Sequence, residues 1–299
     1  MRRLATGLAV LLLLSLNTLI LVCPLLVLGL LKLLPWPPLR RRCSEAVTHV
    51  AETWAAIGQR IFAWLTPTRW EIRGSVELRS DRGYLLVCNH QSWVDIPALI
   101  EAFNRQIPFF RFFLKQELVW VPFLGPAFWA LDYPFMKRHS KRVLERNPHL
   151  RGADLAAARR ACQKFRDHPV TVVNYLEGTR FTPAKHQQQA SPYRHLLKPK
   201  AGGVAYVLAT LGDQLDAILD VTLVYPEGRI PGFWALLSGQ VSHVVIDVRQ
   251  RKLDPSLWQG DYGNDPAFRA RMQEWVSQLW HEKDERIAAI LAEQRKTSP

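Results

Sequence analysis

A chain of 299 residues with 48% apolar side chains can bury the core of one large α/β domain or two small ones, which argues against intrinsic disorder. A net charge of +13 calls for an anionic partner, either a phospholipid surface, a phosphorylated substrate or nucleic acid. The four cysteines, Cys23, Cys43, Cys88 and Cys162, form no C-x-x-C pair and no metal-ligand spacing, so neither a metal site nor a structural disulfide is expected.

Leu4 to Leu31 is a run of 28 residues without a charge, longer than the 18 or so that mark a transmembrane candidate. Arg2 and Arg3 imitate the start of a signal peptide, but the run is too long and no small-residue cleavage site follows. As one helix it would measure roughly 42 Å against a hydrocarbon core of about 30 Å, and it is too short for two spans. Pro24 is the expected kink. Basic residues flank both ends, so charge assigns no orientation, and a tilted span and a re-entrant or interfacial hairpin are both compatible with the run.

After Pro35-Trp36-Pro37-Pro38, the apolar residues Val47, Val50, Trp54, Ile57, Ile61 and Trp64 recur at helical spacing. That stripe either packs on the rest of the protein or lies in a membrane interface. Residues 1–66 therefore read as a membrane-anchoring pair of helices, and residues 67–299 as a separate domain.

From Trp70 onward β-rich runs (Tyr84 to Cys88, Pro108 to Leu114, Tyr133 to Met136, Val170 to Tyr175, Ile218 to Tyr225, Ser242 to Val248) alternate with helical stretches. Helices are predicted from near Asp95, over Glu117 to Ala130, Asp154 to Phe165 and Gly203 to Leu211, and from Asp265-Pro266 to about Glu293. The alternation predicts an α/β fold with a mixed central sheet flanked by helices. The basic cluster Lys137, Arg138, Lys141, Arg142, Arg146 and Arg151 is either a solvated loop, the rim of an anionic-substrate entrance or a membrane contact.

Two strand-end segments carry candidate chemistry. In Asn89-His90-Gln91-Ser92-Trp93-Val94-Asp95, His90 and Asp95 would stand about 140° apart on a continuous helix, so they meet only if the chain turns between them. A turn ending at Asp95, just before Ile96-Pro97, permits that. A histidine oriented by a carboxylate can then take a proton from an attacking alcohol without any serine or cysteine nucleophile. Taken singly, Asp95 also reads as a helix N-cap and His90 as an ordinary hydrogen-bonded histidine. Ser92 and Cys88 lie in no nucleophile motif and read as structural.

The second segment is Tyr175-Leu176-Glu177-Gly178-Thr179-Arg180. Gly178 permits close backbone approach, Arg180 presents a forked donor for phosphate oxygens, and Glu177 is placed to hold Arg180 or another cation.

His90-x-x-x-x-Asp95 followed about ninety residues later by Glu177-Gly178-Thr179-Arg180 resembles the glycerolipid acyltransferase family that includes 1-acylglycerol-3-phosphate acyltransferases. Phe135-Met136-Lys137-Arg138 and Val221-Thr222-Leu223-Val224-Tyr225-Pro226 resemble that family's second and fourth blocks, and Arg194 to Gly203 a further segment between the third and fourth. The resemblance spans roughly Leu85 to Pro226, and it departs from the family pattern at Asp132, in place of glycine, and at Leu176, in place of proline.

The resemblance implies that His90 is the general base on the acceptor hydroxyl, that Asp95 orients it, and that Arg138, Glu177, Gly178, Thr179 and Arg180 form the acceptor's phosphate site. It further implies acyl-CoA or acyl carrier protein as co-substrate, no cofactor, a lysophospholipid acceptor, most simply 1-acyl-sn-glycerol-3-phosphate, and a bilayer as partner. The expected location is the cytoplasmic (inner) membrane, with the active site facing the cytoplasm. Another lysophospholipid headgroup and a lipid or thioester hydrolase are the enzymatic alternatives. A basic membrane-tethered nucleic-acid binder is the alternative outside enzymes, although no nucleic-acid motif is present and no nucleic-acid partner is expected.

Overall fold

The computed structural model describes residues 1–74, 76–133, 135, 136 and 168–297. Arg138, the rest of the basic cluster, Cys162 and the helix predicted over Asp154 to Phe165 lie outside the described residues.

The apolar run folds as one helix, α1 (Arg2–Leu31), which continues through Pro24. Proline removes one helical hydrogen bond, and the strong helix formers on either side carry the helix past it, so the run itself contains no re-entrant turn. α2 (Pro37–Leu65) then folds back along α1. The buried Asn17 amide donates to Trp54 O at 3.0 Å, and Trp54 Nε1 donates to Thr18 Oγ1 at 3.0 Å. Of the predicted α2 stripe, Val47 and Ile61 are buried, but Trp64, at the helix end, is 81% exposed. The closest packing falls instead on Cys43, Val47, Ala51 and Ala55, whose spacing of four keeps small side chains against the neighbouring elements.

The remaining elements in chain order are β1 (Arg69–Arg73), β2 (Gly83–Cys88), α3 (Asp95–Phe103), β3 (Phe110–Phe112), β4 (Leu114–Lys115), α4 (Leu124–Ala130), β5 (Phe135–Met136), β6 (Thr171–Tyr175), α5 (Pro183–Gln188), α6 (Ala201–Leu211), β7 (Leu215–Val224), α7 (Phe233–Leu237), β8 (His243–Lys252) and α8 (Pro266–Thr297). Among the described residues the main sheet has the order β1-β8-β7-β2-β6-β3, with β7 and β8 antiparallel and every other pair parallel. This is the mixed, helix-flanked sheet expected. Side chains alternate across it: Tyr84, Leu86 and Cys88 of β2 face α3, whereas Leu85 and Val87 join the cluster built with α6 and α8.

Three expectations need correction. The helix predicted over Glu117 to Ala130 is a 3₁₀ turn (Gln116–Trp120) and α4, separated because Val121, ahead of Pro122, is extended (φ −72°, ψ 120°). β1 is a strand, and β4 and β5 pair with each other outside the main sheet. The short helices α5 and α7 had no counterpart in the pattern; α5 is capped by Thr182 Oγ1, which accepts from Lys185 N.

α8 begins as predicted, with Asp265 Oδ1 accepting from Ala267 N and Phe268 N at 2.9 and 3.1 Å. It carries one unexpected residue, Lys283, whose side chain is 0% exposed. Lys283 Nζ donates to Asp220 Oδ1 at 2.6 Å, to Val221 O and to Thr222 Oγ1.

Candidate active site

β2, β6 and β7 run parallel, so their carboxyl ends open on one edge of the sheet, where α/β proteins place their sites. The chain leaving β2 is held first by Asn89. Its side chain donates to Leu223 O and accepts from Leu223 N, both at 2.9 Å, and so extends the β2–β7 ladder by one residue.

The segment then turns, and the predicted pair meets: His90 Nδ1 lies 2.7 Å from Asp95 Oδ2. The same oxygen accepts from Gln91 N at 2.7 Å and Ser92 N at 2.9 Å. An N-cap carboxylate accepts from amides that follow it. Asp95 accepts from amides that precede it, so the plain capping reading does not describe it. Asp95 is fully buried, and its second oxygen, Oδ1, accepts from the Tyr225 hydroxyl. The Tyr175 ring stacks on the His90 imidazole at 4.0 Å and 18°. The His90 side chain is 18% exposed, and its Nε2 has no hydrogen-bond partner among the described residues.

Neither nearby nucleophile is free to act. Ser92 Oγ donates to Pro231 O and accepts from Val94 N at 3.0 Å, and burial pushes the Cys88 thiol well above its ordinary range. Among the described residues no group of three or more His, Cys, Asp or Glu could hold a metal.

Glu177 does not hold Arg180. Its carboxylate is fully buried, with Oε1 accepting from His90 N at 2.8 Å and Oε2 from Leu197 N at 3.1 Å. It therefore ties the end of β6 to the His90 turn. Burial raises its carboxyl to about 7, against the pull of those two amides. Between pH 4.5 and about 7 the unfolded chain ionises this group while the folded one keeps it protonated, so stability falls as pH rises through that window. Glu177→Gln removes the titration and offers one acceptor oxygen to two N–H groups. It is expected to cost about 1–3 kcal/mol and to flatten the stability curve across that window, followed by chemical denaturation at a series of pH values. An unchanged slope would contradict the assignment.

Arg180 stacks its guanidinium over the Trp93 ring at 4.3 Å, which joins the two predicted segments face to face. Gly178 has φ +67°, so the residue type is fixed by the backbone. Thr179 Oγ1 accepts from Lys185 Nζ at 2.7 Å, and the same ammonium donates to Arg180 O at 3.0 Å. Asp132 has φ +59°, a left-handed conformation that explains why the family pattern has glycine there. Its carboxylate pairs with Lys32 at the end of α1.

Beside Trp93 lies an apolar cavity of about 750 Å³. Leu11, Leu14 and Thr18 of α1 line one side, Trp54 and Phe62 of α2 another, and Ile96, Pro97 and Ile100 of α3 a third. Sequence reasoning missed Asn89, Tyr175, Tyr225, Trp93 and Lys185. Asn89, Trp93, Tyr175 and Tyr225 each lie in a segment quoted above but without a role, and Lys185 carried no signal.

The family model described as Acyltransferase matches residues 69–226. Mouse 1-acyl-sn-glycerol-3-phosphate acyltransferase gamma is 27% identical over 180 residues, covering 57% of this chain and 43% of the mouse protein. Zebrafish lysocardiolipin acyltransferase 1 is 23% identical over 261 residues, covering 80% of this chain and 60% of its own. The chain thus spans about half the length of the curated relatives it matches. The crystal structure of the 1-acyl-sn-glycerophosphate acyltransferase PlsC from Thermotoga maritima superposes with a TM-score of 0.52 at 19% identity, covering 97% of this chain and 98% of that one, a likeness of fold. The chain belongs to the acyltransferase family.

Proposed function

We propose that this protein transfers an acyl group from acyl-CoA or acyl carrier protein to the free hydroxyl of a lysophospholipid, with 1-acyl-sn-glycerol-3-phosphate as the simplest acceptor and phosphatidic acid as product. The observation that carries the proposal is the His90–Asp95 pair at 2.7 Å, in which Nδ1–H is committed to the carboxylate and Nε2 is left to take a proton. The acceptor hydroxyl gives its proton to Nε2 as its oxygen attacks the thioester carbonyl. The tetrahedral intermediate then collapses, the C–S bond breaks, and the thiolate leaves with that proton. Asp95 stabilises the imidazolium between the two steps.

Arg180, held over Trp93, is suited to the acceptor's phosphate, and the cavity lined by Trp93 suits an acyl chain. Glu177 is left out of the phosphate site on account of its burial. Lys185 takes its place beside Thr179 and Arg180. Arg180→Ala is expected to raise the acceptor KM by about ten- to a hundredfold with a smaller effect on kcat, and Lys to rescue poorly, because a point charge lacks the fork. Unchanged acceptor kinetics would remove Arg180 from the site.

The exposed leucines of α1, among them Leu8, Leu12, Leu16 and Leu19, suit insertion into one leaflet of the cytoplasmic membrane with the site on the cytoplasmic side, where both thioester donors are soluble. α1 also stays against the domain along its length: a Cβ at Gly7 would meet Trp234 at 2.9 Å, and one at Gly29 would meet Ala130 at 2.7 Å.

The deciding experiment is an assay of the purified protein with acyl-CoA and acylated carrier protein against lysophosphatidate, monolysocardiolipin and other lysophospholipids. Ester product dependent on the acceptor is expected. Release of free fatty acid at the same rate without acceptor would identify a hydrolase instead, and salt-sensitive nucleic-acid binding without transfer would sink both.

A further inference from the structure

The environment of Asp95 is lopsided. Three donors, His90 Nδ1, Gln91 N and Ser92 N, converge on Oδ2, while Oδ1 receives Tyr225 alone. The carboxylate is 0% exposed, so no solvent reaches Oδ1 to substitute for that phenol. A buried carboxylate oxygen without a donor is costly, and its uncompensated charge shifts towards whatever donors the other oxygen holds. Tyr225 arrives from far along the chain, one residue beyond β7, and its own placement is rigid. Two residues earlier Leu223 is hydrogen-bonded on both sides to the Asn89 side chain, next to His90. The phenol itself is 5% exposed and packs in the same apolar cluster as Val94 and Leu99 of the α3 region.

We propose that Tyr225 is a positioning residue for acyl transfer: by donating to Asp95 Oδ1 it fixes the carboxylate plane and limits how strongly Asp95 holds the His90 imidazolium. The proposal rests on the reading of His90 as the general base. Donation to Oδ1 draws negative charge away from Oδ2, the oxygen that holds His90 Nδ1. The other ionisable groups facing the pair are Cys88 at the end of β2 and Tyr175 and Glu177 at the end of β6. Lys283 and Asp220 act from the opposite face of β7. A change confined to the Tyr225 hydroxyl leaves all of these in place.

The test is Tyr225→Phe in the full chain, with kcat/KM for a lysophospholipid acceptor measured as a function of pH beside His90→Ala. Y225F is expected to lower kcat by about ten- to a hundredfold, the range for losing a hydrogen bond to a buried charged group. It is also expected to move the acid limb of the profile to higher pH, because the less neutralised carboxylate keeps the imidazolium protonated longer. A merely structural role would lower kcat or thermal stability and leave that limb where it was, and this result would overturn the proposal. A fluorinated tyrosine incorporated at position 225 keeps the ring and strengthens donation, so the limb should move to lower pH even if Y225F folds poorly; no movement there also overturns it. Wild-type behaviour of Y225F with an inactive H90A defeats the positioning role alone, whereas an active H90A defeats the general-base reading beneath it.

Discussion

With His90 replaced by alanine, acyl transfer is expected to fall by about 10² to 10⁴-fold, the usual contribution of a positioned proton acceptor. The loss should appear in kcat, since the imidazole is proposed to act on the proton that moves in the transition state and not on the lipid in its ground state. The fold should survive. The His90 side chain is partly exposed, and the backbone contacts of that residue, from His90 N to Glu177 and from Phe181 N to His90 O, do not involve the imidazole. Far-ultraviolet circular dichroism and the melting temperature would confirm this beside the kinetics. Asp95→Asn should lose a comparable factor for a different reason: one carboxamide cannot accept all the donors that converge on this carboxylate, and its NH₂ would face a donor. Activity close to wild type in H90A would remove the dyad from the mechanism.

Lys283→Ala is expected to be the most damaging change away from the site, at about 3–5 kcal/mol of stability. The ammonium is wholly enclosed between α8 and β7. Truncation would leave Val221 O and Thr222 Oγ1 short of a donor and Asp220 dependent on Arg251, at 2.9 Å, for its charge. It would also open a cavity next to Trp280. Lys283→Met, which fills most of the volume, should cost less than alanine. Equilibrium unfolding in denaturant would rank the two, and equal costs would show that the electrostatic partners, not the space, set the penalty.

The parts of the fold legible in the sequence were those in which one pattern dominates. The uncharged run from Leu4 to Leu31 marked a long apolar segment and the apolar run ending at Cys88 a buried strand, although that the first stays one helix through Pro24 was not in the pattern. Competing local signals hid other elements. Pro122 interrupts an apparently helical stretch, and Arg69-Trp70-Glu71-Ile72-Arg73 carries three charges, so only its pairing with β8 marks it as a strand. Within the site, His90 and Asp95 were legible as a meeting pair because their spacing is local. Tyr225 and Asn89 were not, because their roles depend on β7 lying beside β2, a pairing across more than a hundred residues. Glu177 was misread for a related reason: its nearest cation in sequence is Arg180, but the sheet offers it two backbone amides first. Nothing local distinguishes Lys283 from the other charges of α8, because the surface it faces belongs to a strand earlier in the chain.

The cavity beside Trp93 owes one side to α1, and that has a practical side. A shortened chain beginning at β1 would gain solubility by shedding its leucines. It would also lose Leu11, Leu14 and Thr18 from the cavity, leave the Trp234 contact of Gly7 bare, and release Asp132 from Lys32. In this protein the apolar helix is one wall of that cavity, so trimming it for convenience in purification would remodel the space proposed for the acyl chain.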